Sequence, residues 1–493
     1  MTRQRSILTE EHVRALKPAL RAYVLCYAAS TGPRLFGFLK MLRRRDLSMV
    51  QKSRVLVTIL RTSTQINRFP IAGAILVAGP TITTRLVSIL LRLLSSRVEK
   101  APARSLDMDS LSRLRFLCTF LSAWLAFNLL NRDKEWACKR ARSRGAIEFQ
   151  ASKTESPNKH YLPDPSYRPS YAGKTIDFTL FALCRALDVL VISMWTRTRS
   201  SRHHPEHAAP RLAKLGKKLV DPWVFATSAS IIMWSWFYSP ERLPRAYNHW
   251  ISTAADIDSR LITALRRCRE GEFVYGQDSG QAPLLMSLCD ELGLPQAWGD
   301  PSKTIPIPCE LYHCGRGSSC EIHGLSRFMN SFKFSMELYL PLQLLTKITR
   351  PGKTAVLAAT GAAARSSSFL AAFVSLFYYS VCLARTRLGP KIFSPKTVTA
   401  QMWDSGLCVL AGCMACGWSI LIEQPNRRQE IAFFVAPRAL ATLLPRVYDK
   451  AHQRREQIVF ALSVAIVLNA AKTGPDTAVR GVLGRVLRGV LKE

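Results

Sequence analysis

One pattern of residues occurs twice in this chain, and it constrains the fold more than any other feature. Residues 177–187 and residues 430–440 each begin with an acidic residue, continue through an apolar run and end in Arg-Ala-Leu. A second apolar stretch follows each copy, at 225–232 and at 460–467. A charge inside a duplicated apolar segment is typical of membrane proteins that are built from internal repeats. We therefore predict an all-α, multi-pass helical bundle with two similar halves.

Uncharged runs elsewhere in the chain are long enough to cross a bilayer. A membrane-spanning helix needs about 20 mostly apolar residues to cross about 30 Å of hydrocarbon. The runs 222–240, 366–384 and 405–422 contain no charged residue. Together with shorter apolar runs, they predict about eight spanning helices by this length rule.

The alternation of apolar and polar stretches predicts four segments. The first membrane repeat covers 1–240, and a mostly helical soluble segment at 241–330 joins it to the second repeat at 331–474. The tail at 475–493 has valine and leucine on one face and arginine mostly on the others, as in a basic amphipathic helix. Two roles for the tail remain open, namely binding to an anionic membrane surface and packing against its own protein.

The strongly basic composition, with a formal net charge of +35, has two interpretations. A basic chain can bind nucleic acid. Here, however, the basic clusters at 43–45, 139–144 and 197–202 flank apolar runs, which is typical of loops that contact anionic lipid. We therefore expect the lipid bilayer and anionic lipids as partners, and no nucleic acid. Membrane protein partners and a homo-oligomer both remain open.

Six charged residues lie in or beside the predicted spans. Arg185 and Asp188 are three residues apart and can pair on one helix face, whereas Arg438 has no acid at that spacing. We expect both arginines to face the bundle interior, because an arginine at the bilayer centre costs roughly 2.5 to 3.5 kcal/mol. The six residues could form a polar pathway for substrate or protons at the interface between the repeats. Alternatively, they could form buried ion pairs that fix helix packing, and this second role is favoured. The six residues are Asp177, Arg185, Asp188, Arg365, Glu430 and Arg438.

The densest group of metal-binding residue types lies between 308 and 323. Cys309, His313, Cys320 and His323 could form a tetrahedral zinc site, although their spacing matches no recognised zinc finger. A disulfide from Cys309 to Cys320 or Cys314, and a simple packed turn, are the alternatives. We predict no cofactor apart from the zinc ion that this cluster could bind. The sequence contains no nucleophile elbow or phosphate-binding glycine loop, so we predict no catalytic residues.

Most other cysteines lie in apolar runs. The total of 13 is odd, and the spacing does not suggest a secreted disulfide framework. We expect these thiols to act as small buried apolar side chains. The group comprises Cys118, Cys184, Cys382, Cys408, Cys413 and Cys416.

Taken together, several motifs resemble the transmembrane protein 135 family. The resemblance covers nearly the whole chain. It implies a multi-pass protein of mitochondrial and peroxisomal membranes, linked to organelle fission and lipid metabolism, with no enzymatic activity. It also implies halves that are distantly similar to the mitochondrial inner-membrane import translocase superfamily. The matching motifs lie at 176–188, 250–276, 298–301, 308–323, 365–370 and 423–440.

These observations lead to one functional expectation and one alternative. We expect an integral membrane protein of mitochondria or peroxisomes that acts as a scaffold or transport component in organelle dynamics or lipid metabolism. The alternative is a membrane-embedded, metal-dependent enzyme that uses the Cys/His cluster. The metal content of the purified protein distinguishes the two most directly.

Overall fold

The computed structural model describes residues 2–42, 48–95, 108–131, 175–201, 211–347, 352–444, 450–475 and 478–491. These residues form helices and no strand, which confirms the all-α prediction. The basic clusters at 43–45 and 139–144 lie outside the described residues. The basic cluster at 197–202 was expected to lie in a loop, but a helix extends into it as far as Ser201.

The helices before the central segment are long. Pro80 lies inside one of them and Pro222 inside another. In chain order, these helices are α1 (Thr2–Leu42), α2 (Met49–Ser63), α3 (Phe69–Ser95), α4 (Met108–Asn131), α5 (Ile176–Ser201) and α6 (Arg211–Tyr238).

The central segment consists of short helices. Asp258 begins one of them by accepting a hydrogen bond from the Arg260 backbone N–H at 2.8 Å, and Gly271 ends it with a φ of 78°. The segment contains α7 (Arg245–Ala255), α8 (Ser259–Glu270), α9 (Ala282–Leu292) and α10 (Cys309–Tyr312).

The remainder of the chain combines long helices with short ones, the shortest of which has three residues. Two π-helical turns, Leu383–Arg387 and Trp403–Leu407, interrupt this region. A 3₁₀ turn follows at Gly417–Ile422. The helices are α11 (Cys320–Leu345), α12 (Lys353–Cys382), α13 (Gly389–Ile392), α14 (Ala400–Met402), α15 (Cys408–Cys416), α16 (Pro425–Leu443), α17 (Lys450–Thr473) and α18 (Gly481–Leu491).

The chain divides into two compact units that do not follow the four predicted segments. The first unit contains Met1–Pro205 and Pro445–Glu493, and the second contains Glu206–Leu444. The segment that was predicted to be soluble therefore belongs to the same unit as α6, α11, α12, α15 and α16. The division differs because the central helices pack directly on α6 and α12 in one continuous apolar core.

Within each unit, the long helices pack in the same order. In the first unit, α1 packs on α3, α3 on α4, α4 on α17, and α17 on α5. In the second unit, α11 packs on α12, α12 on α15, α15 on α6, and α6 on α16. The repeated motif lies on α5 and α16, and the stretches that follow it lie on α6 and α17. Helix α5, which contains the first copy, therefore packs on α17, which follows the second copy. Helix α16, which contains the second copy, packs on α6, which follows the first.

Small residues allow close contact between neighbouring helices. A Cβ atom at Gly79 on α3 would collide with the side chain of Ser122 on α4. A Cβ atom at Gly417 would lie 2.5 Å from the Cα atom of Ala226 on α6. Contacts of this kind are typical of helices that associate within a bilayer, where small side chains allow backbones to approach.

Among the described residues, four helical stretches are long and apolar enough to cross a membrane, and a shorter apolar stretch is Phe69–Thr84. Two of the four contain the predicted runs at 366–384 and 405–422, while the run at 222–240 is not among them. The estimate of eight spans therefore stays a prediction. The four stretches are Ser112–Asn131, Lys353–Ile392, Ala400–Ile422 and His452–Thr473.

The candidate spanning helices expose large apolar side chains in addition to those that they bury, such as Phe127 on α4. On α4, Leu117, Leu121 and Leu125 are exposed, whereas Ser122 and Ala126 are buried. An exposed apolar face of this kind matches a helix bundle surrounded by lipid, because lipid tails are as apolar as leucine. It supports the prediction of a membrane-spanning bundle.

The tail helix α18 packs against its own unit. Val479 is buried in an apolar cluster with Val189 and Val467, and Leu483 and Leu487 pack against that cluster. This packing supports the second of the two roles that the sequence left open, although Val482 on the same helix is exposed.

Candidate metal centre

Four side chains with metal-binding atoms converge in the second unit. They are Cys309, His313, Cys320 and Cys382, and their ligand atoms all lie within 4.8 Å of one another. The Nε2 atom of His313 is 3.6 Å from the Sγ atom of Cys382. In a tetrahedral zinc site, Zn–S bonds of about 2.3 Å and Zn–N bonds of about 2.0 Å place nitrogen and sulfur about 3.6 Å apart. The spacing therefore fits a zinc ion.

Short helical elements position three of these ligands. Cys309 is the first residue of α10, and the backbone N–H of His313 donates to the Cys309 carbonyl at 2.8 Å. One helical turn therefore brings both side chains to the same side. Cys320 is the first residue of α11, where the Ser319 hydroxyl accepts a hydrogen bond from the backbone N–H of Ile322 at 3.3 Å.

A hydrogen bond orients the His313 ring toward the other ligands. Its Nδ1 atom lies 2.7 Å from the Gly317 carbonyl oxygen. Because a carbonyl can only accept, Nδ1 carries the proton and Nε2 keeps the lone pair that a metal needs. Gly317 has a φ of 86°, a conformation that a residue with a side chain rarely adopts.

Burial and hydrogen bonding set the state of the thiols. His313, Cys320 and Cys382 are buried, and Cys309 is partly buried. A hydrogen bond with Cys382 lowers the pKa of Cys309 to about 5, while burial raises the pKa of Cys320. The thiolate is the form that binds metals, so Cys309 is ready to bind and Cys320 must release its proton.

The structure places His323 outside this group and Cys382 inside it. The His323 ring stacks on His313 with 4.4 Å between ring centroids, and the edge of Tyr378 faces it at 5.6 Å. Neither ring nitrogen of His323 has a hydrogen-bond partner, and burial lowers its pKa to about 3. Cys382 therefore replaces His323 as the fourth candidate ligand.

The sequence pattern missed Cys382 for a clear reason. It lies in an uncharged run and was expected to be a small buried apolar side chain, yet α12 ends beside α10 and brings its thiol to the cluster. The predicted disulfide alternative does not form here, since Cys309, Cys314 and Cys320 are free thiols.

A buried ion pair lies one helical turn beyond this cluster. The Nε atom of Arg385 donates to Asp404, and its Nη2 atom donates to Asp404 Oδ2 at 2.8 Å and to the Ile307 carbonyl at 2.9 Å. The guanidinium lies 4.2 Å from the centre of the Tyr312 ring. The Tyr275 hydroxyl also donates to Asp404. The two charged residues belong to the two π-helical turns, which face each other.

From the sequence, Arg385 and Asp404 stood out only because they border the uncharged runs at 366–384 and 405–422. Two further buried charges were also missed or undervalued. Arg327 stacks on Tyr378 at 4.5 Å and donates to the Asp256 carbonyl. Glu423, which follows the uncharged run 405–422, is buried and accepts a hydrogen bond from the Ser366 hydroxyl. A charge that ends an apolar run can therefore belong to the core.

The six predicted intramembrane charges are not all in the interior. Arg185 is buried and its Nη1 atom donates to the Arg480 carbonyl at 3.4 Å, while Asp188 pairs with the Arg480 side chain. Asp188 therefore pairs with Arg480, rather than with Arg185 along their shared helix face. In contrast, Asp177 and Arg365 are exposed, because they lie on the outer faces of α5 and α12.

The second copy of the motif is less deeply buried than the first. Arg438 and Glu430 are both partly buried. The Nη1 atom of Arg438 donates to the Phe434 carbonyl of its own helix, and its guanidinium lies 3.6 Å from the centre of the Phe434 ring. Arg185 and Arg438 thus both donate to backbone carbonyls, but Arg185 is buried and Arg438 is only partly buried.

The arrangement of the cluster limits its chemistry. Structural zinc sites are closed by four protein ligands, whereas catalytic ones keep a position for water or substrate. Three thiols and one imidazole from this chain already provide four ligands.

No protein-family model matches the chain, and no curated protein or solved structure is significantly similar to it.

Proposed function

We propose that this chain is a multi-pass organelle membrane protein that acts as a scaffold or transport component. The observation that carries the proposal is the belt of large apolar side chains that its apolar helices expose. On α15, Leu410 and Met414 are exposed, whereas Gly412 and Cys413 are buried. An exposed apolar belt of this kind requires a lipid or protein environment.

The equal packing order of the two units supports a transport or scaffold role. Many transporters consist of two related repeats, with the substrate site at the interface between the repeats. Here the motif helices α5 and α16 occupy corresponding places in the two packing orders. The similarity of the two halves stays a prediction, and the matching order of neighbours supports it.

The location is proposed from the sequence resemblance. The motifs at 176–188, 308–323 and 423–440 resemble the transmembrane protein 135 family, which supports a mitochondrial or peroxisomal membrane. Involvement in organelle dynamics or lipid metabolism is proposed on the same basis.

A metal-dependent membrane enzyme is the alternative, and the geometry disfavours it. The four ligands leave no coordination position for a substrate in a tetrahedral site. Cobalt-substituted protein gives a direct test, because visible absorption bands of cobalt change when a small anion binds to it. An unchanged spectrum on addition of azide or cyanide is expected. A clear spectral change would favour the enzyme.

The location test uses a tagged copy of the chain in cells that naturally contain it. We expect the tag to overlap with a mitochondrial or peroxisomal marker and the protein to stay in the membrane pellet after alkaline carbonate extraction. Extraction into the supernatant would refute membrane insertion. Retention in another organelle's membrane would refute only the proposed location.

For transport, the purified chain is reconstituted into lipid vesicles and the release of trapped small solutes is measured. For a scaffold, cross-linking in cells is expected to capture the same neighbouring proteins repeatedly. If cells that lack the chain keep normal organelle shape and normal lipid composition, both roles would have to be abandoned.

A further inference from the structure

We propose that Cys309, His313, Cys320 and Cys382 bind one structural zinc ion, and that this ion fastens the central segment to the end of α12. This site goes beyond the proposed membrane function and does not depend on which organelle contains the protein.

The ligand types select zinc. Three thiolates and one imidazole are soft or borderline ligands, and the combination is a common structural zinc set. Calcium and magnesium prefer oxygen ligands, and no carboxylate belongs to the group. The oriented His313 ring provides the supporting hydrogen bond that metal-binding histidines usually make to a carbonyl or carboxylate.

The ligands come from three separate parts of the chain. Cys309 and His313 lie on α10 and at its end, Cys320 begins α11, and Cys382 ends α12. A metal ion at this point closes a long loop between the central segment and a helix that is apolar enough to span a membrane. Joining residues that are far apart in sequence restricts the unfolded chain most, so the ion stabilises the junction.

The same elements hold the buried ion pair. On α10, Cys309 precedes Tyr312 by three residues, and at the end of α12, Cys382 precedes Arg385 by three residues. Tyr312 stacks on Arg385, so the two elements meet twice, once at the cluster and once at the ion pair. Loss of the metal should therefore also loosen the contact between Tyr312 and Arg385.

The first experiment measures zinc in the full-length protein purified in detergent. We expect about one zinc per chain, with a fall to under about a tenth of that in Cys382→Ser and Cys309→Ser. Cys314→Ser is the matched control, because Cys314 is close in sequence but not part of the cluster. His323→Gln separates the structural assignment from the sequence-based one, and we expect it to retain zinc.

A spectroscopic measurement covers the case in which a serine variant does not fold. Cobalt added to metal-free protein should give the absorption of a tetrahedral site with thiolate-to-cobalt charge transfer. Cys382→His keeps a ligand at this position, and we expect it to bind cobalt with a weaker charge-transfer band because one thiolate is missing.

Chelation provides a readout in the native membrane. Removing the metal should make the thiols of Cys309, Cys320 and Cys382 react with an alkylating reagent, while the buried Cys413 stays protected. The proposal would be overturned if the wild-type protein contained no zinc, if Cys382→Ser kept full zinc content, or if iron replaced zinc in the purified protein.

Discussion

Replacing Asp404 by asparagine should destabilise the second unit strongly. The side chains of Arg385 and Asp404 are 2% and 0% exposed, so neither charge can recover its hydration by a small movement. Asparagine removes the negative charge but leaves the guanidinium buried between Tyr312 and the Ile307 carbonyl. Breaking one side of such a buried pair costs about 3 to 5 kcal/mol.

This free energy can be measured as a shift in melting temperature. For a unit of about 240 residues, each kcal/mol lowers Tm by about 2 to 4 °C, so Asp404→Asn should lower Tm by about 6 to 20 °C. The measurement is thermal unfolding of the detergent-purified chain, followed by intrinsic fluorescence or by loss of the monodisperse chromatographic peak.

Two variants serve as controls for this prediction. The Arg387–Glu321 pair lies nearby, but both side chains are 48% exposed, so Glu321→Gln should cost less than about 1 kcal/mol. The double variant Arg385→Met, Asp404→Leu removes both buried charges and should recover much of the lost stability. If Asp404→Asn and Glu321→Gln lowered Tm equally, the buried pair would stabilise the unit no more than the exposed pair does.

Three further variants test the packing and the charged residues. Gly417→Val should separate the turn after α15 from α6 and cost about 1 to 3 kcal/mol, because a Cβ atom at Gly417 would meet the Ala226 backbone. Gly361→Val, where a Cβ atom would meet nothing within 4 Å, is the control. Equal Tm values for these two variants would contradict the close contact. Arg185→Leu should still insert into the membrane, as judged by protease protection, but should lower Tm, and Arg185→Lys should recover only part of the loss because the planar fork is missing. Unchanged stability and cellular phenotype with leucine at both 185 and 438 would rule out a role for the two arginines. Asp188→Asn should remove the ion pair that ties Arg480, the residue before α18, to α5, measured as faster amide hydrogen exchange in 481–491; an unchanged exchange rate would show that the apolar contacts of α18 are sufficient.

The apolar runs predicted the helical class because their length and lack of charge reflect a local property of the chain. The membrane runs at 366–384 and 405–422 appear as expected within candidate spans. The division into units could not be predicted in the same way, since it depends on which helices pack together across large sequence separations. Hydropathy reports how apolar a helix is, but not which neighbour covers it.

The candidate metal centre shows the same limit. Cys309, His313 and Cys320 lie close together in sequence, so local spacing was enough to group them. Cys382 is more than 60 residues away in an apolar helix, and His323 fitted the pattern better by spacing alone. Only the packing of α12 beside α10 distinguishes the two candidates. Arg385 and Asp404 were missed for a related reason, because each ends an apolar run and resembles an interfacial residue.

The packing order of the long helices has a consequence for biosynthesis. The second unit is continuous in sequence and can be completed once residue 444 has left the ribosome. The first unit lacks α17, which lies between α4 and α5, until residue 473 has been made. At about 5 to 20 residues per second, the roughly 270 residues after α5 take on the order of 15 to 50 s to synthesise. During that interval α4 and α5 must wait in the membrane or its insertion machinery without their shared neighbour. A nascent chain that stops after Leu444 should therefore contain one finished unit and one that the cell's quality control recognises as incomplete.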